Sequence, residues 1–308
     1  MSWRVAFHST KLLFSYIIPY KVKIFRDAIF AGNVAAIRQL SSERPRLLQQ
    51  AIDADGNTAL GLGLLLGETD VVKTLLELGS DPNVANSFDG NHPLVILAKS
   101  RSEENSKLAI LADLLLDAGS NPLAEVQYQA DSAKRLDATQ TPSYHETPLL
   151  CCVRFQNEEL LKKFIQHNTD INSLNPETGT SALMLASALG YRNICNILID
   201  ARAEINTKDH SGNTPLHLAA HGYGEQIPVL ELLLQHGADV NAINDDGYTP
   251  AVLARRMEHD ASYRLLESHT DKSIPQAQTP PPPPPPSYEQ FDTVKLDRDE
   301  KPVPFSFH

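Results

Sequence analysis

Cysteine is scarce in this chain: Cys151, Cys152 and Cys195 are the only three in 308 residues. An odd, sparse set cannot supply the disulfide framework of a small secreted domain, so a reducing, cytoplasmic setting is expected. Long apolar runs are missing too. No stretch of 18 uncharged apolar residues occurs, which removes any transmembrane candidate. Positive charge is short, with 27 basic against 38 acidic side chains and a net charge of −11. The attraction to phosphate on which nucleic-acid binding rests is therefore absent, and nucleic acid is not an expected partner. No glycine-rich phosphate loop follows a strand; Gly61, Gly63 and Gly67 fall in a helix-like stretch. Acid is missing from the first 26 residues, where Arg4, Lys11, Lys21 and Lys23 accompany Phe7, Leu12, Leu13, Phe14, Tyr16, Ile17 and Ile18. Lys11 interrupts that apolar run and no small-residue cleavage site follows. Residues 1–23 are accordingly expected to cap the fold, with a targeting segment as the alternative.

What the chain does have is 42% hydrophobic residues, enough for a sizeable core, and a period. The run Gly212-Asn213-Thr214-Pro215-Leu216-His217-Leu218-Ala219-Ala220 is followed by Leu232-Leu233-Leu234 and Gly237-Ala238-Asp239-Val240-Asn241. Weaker copies begin at Gly56, Gly90, Glu146, Gly179 and Gly247. The threonine of each copy, or its replacement, stands at positions 58, 92, 147, 181, 214 and 249. Four of the five intervals are 33 to 35 residues, and the fifth is 55. A second signature runs in phase, in Leu75-Leu76-Glu77-Leu78-Gly79, Leu114-Leu115-Leu116-Asp117-Ala118-Gly119 and Ile197-Leu198-Ile199-Asp200-Ala201. Threonine before proline starts a helix, because the hydroxyl caps free N–H groups and proline suits the first helical turn. Paired alanines let helices approach closely, leucines fill the buried face of a second helix, and the glycine ends it in the left-handed region.

These motifs resemble the ankyrin-repeat family. The resemblance implies an all-α solenoid of helix-turn-helix units joined by short finger turns, with no catalytic or cofactor-binding residues, and a protein partner held on the concave face. The expected organisation is a degenerate capping repeat over 24–52, with a Phe25, Ala28, Ile29 stripe, then repeats 1–2 over 53–122. An inserted loop over 123–141 follows, then repeats 3–6 over 142–270 and a disordered proline-rich tail over 271–308. The long interval is assigned to polar insertions near 101–106 and 125–141. One stack is expected, with two subarrays as the alternative. The family's exposed positions place partner-binding residues at Phe88, Asp89 and Asn91, at Tyr144, and at Glu177 and Thr178. Others follow at His210, Ser211 and Asn213, at Asp245, Asp246 and Tyr248, and at Arg255. Phe88, Tyr144 and Tyr248 are the expected anchors, since aromatics dominate interface energies.

Catalytic and metal chemistry is not expected. The three cysteines fall where small apolar residues pack. In the family, His217 bonds backbone, and His210, His221 and His236 lack companions at ligand spacing. After Leu266 the helical pattern ends, and seven consecutive prolines, Pro280 to Pro286, favour polyproline II. Pro285, Pro286, Ser287 and Tyr288 fit the Pro-Pro-x-Tyr pattern read by WW domains. An SH3 or profilin ligand, a Tyr-x-x-Phe sorting signal and a plain spacer are the rival readings. Together these features suggest a monomeric, non-enzymatic adaptor. A bacterial effector acting in a host cell and an inhibitory or regulatory subunit are the alternatives.

Overall fold

The computed structural model describes residues 20–87, 90–100, 105–124, 147–222 and 224–270. Among them every regular element is helical, and fourteen α-helices form seven successive pairs. The first pair is α1 (Tyr20–Phe30) and α2 (Val34–Glu43), followed by a 3-10 turn (Pro45–Leu48). Then come α3 (Ala59–Leu66) with α4 (Thr69–Glu77), α5 (Pro93–Lys99) with α6 (Asn105–Asp117), and α7 (Pro148–Arg154) with α8 (Glu158–Gln166). The last three pairs are α9 (Ala182–Leu189) with α10 (Arg192–Asp200), α11 (Pro215–His221) with α12 (Ile227–Gln235), and α13 (Pro250–Arg256) with α14 (Asp260–His269).

Four of the seven first helices start on a side-chain cap that the sequence supplies. Thr58, Thr147 and Thr249 accept the N–H three residues on, from Gly61, Leu150 and Val252, and Ser181 accepts that of Met184. First helices pack on first helices of neighbouring pairs, and second helices mostly do likewise. No pair buries both faces alone, so the core is one continuous cluster running from Phe25 and Ile29 to Leu266.

Gly61 and Gly63 should each cost α3 about 1 kcal/mol against alanine, and at Gly63 the cost has a packing reason. A Cβ on Gly63 would lie 3.2 Å from a methyl of Val72, and one on Gly61 3.4 Å from the tip of Ile96. Gly63 lets α3 approach α4.

The stack is not divided at the insertion. The Asn157 amide donates to the Leu97 carbonyl (3.2 Å), Lys163 Nζ meets Asp113 (2.7 Å), and the Leu149 N–H donates to the Pro122 carbonyl (3.0 Å). Of the two insertions, residues 101–104 and 125–146 lie outside the described residues. So do the N-terminal segment up to residue 19 and the proline-rich tail.

Candidate partner-binding site

Each finger begins with a short polar side chain that folds the backbone over itself. Asp53 accepts the N–H groups of Asp55 and Asn57, Asp209 those of Ser211 and Asn213, Asn175 those of Glu177 and Thr178, and Asn244 that of Tyr248. A left-handed glycine closes the turn. Gly212 has φ +73°, and any Cβ there would come within 2.8 Å of the Asp245 backbone nitrogen. That proximity has a purpose, because consecutive fingers are bonded: the His210 N–H donates to the Thr178 carbonyl and the Asp245 N–H to the Ser211 carbonyl, both at 3.0 Å. The fingertips of the last three repeats therefore form one edge.

On that edge Glu177, Thr178, His210, Ser211, Asp245 and Asp246 are exposed. His210 turns Nδ1 to the Glu177 carbonyl (3.0 Å), which orders its ring across the gap between two fingers. The edge is acidic, with Glu177, Asp245 and Asp246 against His210 and Lys208. The Lys208 ammonium donates to the Ile243 carbonyl (2.8 Å).

Four expected binding residues sit elsewhere than the sequence suggested. Asn91, Asn213 and Tyr248 are 5%, 9% and 6% exposed. The residue after the finger glycine turns inward, because the hydrogen bonds that hold the finger end on it. Asn213 bonds Asp209 and receives the Asn244 amide at 2.9 Å. Asn91 accepts from Lys99 Nζ at 2.7 Å. Tyr248 lies under the Arg256 guanidinium, 4.8 Å from ring centroid to Cζ, and its hydroxyl accepts from that group at 2.8 Å. In both of the last cases a basic residue eight positions on, at the end of the first helix, braces the finger base. Arg255 is exposed but holds the register of Ala220, which is wholly buried against the next pair. It lies 5.5 Å over the Tyr263 ring of the following helix rather than in the groove. Phe88, Asp89, Tyr144 and the tail residues Pro285, Pro286, Ser287 and Tyr288 lie outside the described residues.

Two exposed apolar side chains on the fingers escaped the sequence reading. Leu174 and Ile243, 44% and 46% exposed, share a register with Lys208, immediately before the residue that opens each finger. That register was legible once the repeats were aligned, but leucine and isoleucine there read as core. Leu174 also borders a notch lined by Leu123, Leu150, Pro176, Thr147, Ser173 and Asn175.

The notch has a cause. Elsewhere an amide clamps one repeat to the next: Asn83 donates to the Gly119 carbonyl and accepts the Asn121 N–H, and Asn206 does the same with Gly237 and Asp239. Asn172 accepts the Glu204 N–H at 2.9 Å. Leu123 occupies the clamp register ahead of Asp170, and a leucine has nothing to donate or accept.

Reactive chemistry is muted. Cys151, Cys152 and Cys195 are free and buried, and burial pushes the Cys195 thiol up to about 11, the nearby Ser187 hydroxyl only partly offsetting it. Such a thiol is a poor nucleophile. His217 is fully buried, Nδ1 2.9 Å from Thr214 Oγ1 and Nε2 3.0 Å from the Tyr248 carbonyl, so it ties a helix start to the following finger. Among the described residues no three His, Cys, Asp or Glu side chains converge as metal ligands, and no helix is long and apolar enough to cross a membrane.

Comparison with known proteins bears on the same segments. Family models described as ankyrin repeats match residues 102–209, as three copies, and residues 55–87 and 211–245. The chain is 27% identical over 260 residues to the ankyrin repeat and KH domain-containing protein mask-1 of Caenorhabditis elegans, covering 64% of this chain and 10% of that protein. It is 28% identical over 180 residues to the putative ankyrin repeat protein FPV031 of Fowlpox virus (strain NVSL), covering 57% and 51%. It thus spans from a tenth to about half the length of these relatives. Among solved structures the ankyrin repeat domain of Bcl-3 superposes with a TM-score of 0.63 at 19% identity, over 79% of this chain and 97% of that one, a likeness of fold.

Proposed function

The chain belongs to the ankyrin-repeat family, and we propose that it is a non-enzymatic interaction scaffold that holds a protein partner along the fingertip edge of its last three repeats. The supporting observation is the edge itself: three fingers bonded in series, exposing Glu177, Thr178, His210, Ser211, Asp245 and Asp246 beside Leu174 and Ile243. A rigid row of this kind lowers the ordering cost of binding, and exposed apolar residues within a polar rim mark contact surfaces. The Pro-Pro-x-Tyr run Pro285, Pro286, Ser287 and Tyr288 adds a second valence for a WW-domain protein, which makes the scaffold a two-ended adaptor working in the cytoplasm.

Affinity capture with the full chain, followed by a variant carrying alanine at Glu177, His210, Asp245 and Asp246, tests the edge. We expect capture of a groove partner to fall at least tenfold while the melting temperature holds, since surface changes of this type cost within about 0.5 kcal/mol each. Undiminished capture by the folded variant would sink the assignment. In the same assay Tyr288→Ala should remove WW-domain proteins alone.

A further inference from the structure

We infer that the partner segment held on this edge is an extended, basic peptide with two apolar side chains about six residues apart, one entering the notch at Leu174 and the other lying on Ile243. The inference rests on the scaffold reading above and adds the chemistry of what is bound.

Three observations carry it. The notch forms where Leu123 stands in the clamp register, and it is half apolar, with Leu123, Leu150, Leu174 and Pro176 beside Thr147, Ser173 and Asn175. Ile243 repeats the Leu174 position two repeats further along, and both side chains are nearly half exposed. Along the fingertips the exposed carboxylates of Glu177, Asp245 and Asp246 outnumber Lys208, which stands between the two apolar residues with its ammonium turned onto the Ile243 carbonyl, on a chain whose net charge is −11.

The spacing follows from geometry. Packed helices lie about 8–10 Å apart, so two repeats span about 20 Å. An extended chain rises about 3.3 Å per residue, so about six residues cover that distance. Lysine or arginine on the fingertip side of the peptide, clear of Lys208, would sit over the carboxylates, speeding association and setting register.

Panning a displayed library of random twelve-residue peptides on the full chain tests this. Enriched peptides should carry net positive charge and two apolar residues about six apart. Their affinity should drop at least tenfold on Leu174→Asp and on Ile243→Asp, with circular dichroism melts unchanged, and weaken as salt rises. No enrichment, acidic or uncharged winners, or winners indifferent to both substitutions would overturn the inference. Binding that emerges only when residues 125–146 are replaced by a short linker would give the notch to the chain's own insertion, and would overturn it equally. A protein partner lost on the four-alanine variant despite a negative panning result would leave the scaffold reading standing and remove only the peptide chemistry.

Discussion

His217 is held at zero exposure between two repeats, and burial lowers its pKa, the Lys208 charge adding to the effect while the Tyr248 carbonyl opposes it. His221 is lowered as well, by burial and then by neighbouring His259. An imidazole that resists protonation when folded takes up a proton more readily once unfolded, so acid favours unfolding. The contribution is therefore complete above the unfolded value of about 6.5 and is lost as pH falls through the folded values. The urea midpoint should be flat above pH 7 and decline from pH 6.5 towards 5, and His221→Gln should flatten that decline; an unchanged slope would dissociate His221 from it. Asp113 acts in a more acidic window. Burial raises its pKa, but hydrogen bonds from Lys163 and His167 outweigh this and hold it below the ordinary carboxylate value, so its stabilisation disappears only as pH falls through that lowered pKa. At this scale residue type was a good guide to core and cap and a poor one to side-chain direction. Tyr248 reads as an exposed aromatic until Arg256, eight residues on, draws its hydroxyl inward.

Helix α3 brings together the cost and the use of glycine. Replacing Gly61 by alanine adds helix propensity with ordinary contact to Ile96, whereas at Gly63 the new methyl would press on Val72 at 3.2 Å. Gly61→Ala should raise stability by about 0.5–1 kcal/mol, and Gly63→Ala should gain nothing or lose, as read from paired thermal melts; equal gains would show that α3 does not need the close approach. The helix pairs were legible because leucine stripes, Thr-Pro starts and terminal glycines recur in phase. The fingers were less so. Their inward and outward positions depend on which amide meets which carbonyl in the next repeat, and Leu123 breaks that pattern at a place where a leucine looks unremarkable.

Across the whole molecule the missing clamp makes one joint unlike the rest. The amide of Asp170 holds the register of the Asn121, Glu204 and Asp239 amides, each of which is bonded to an asparagine of the preceding repeat. Hydrogen exchange should therefore be faster at Asp170 than at Glu204 or Asp239, and Leu123→Asn should slow it by about fivefold, as one added hydrogen bond near 1 kcal/mol would. Matching rates in the parent chain would remove the joint from consideration. The outer end of the stack has its own consequence. Arg255 stands where the preceding pair has Ala220, and it is folded against Tyr263. A charged, exposed side chain at the register where Ala220 is wholly buried gives the last described pair a polar face, the kind of surface that keeps a capping repeat in solution.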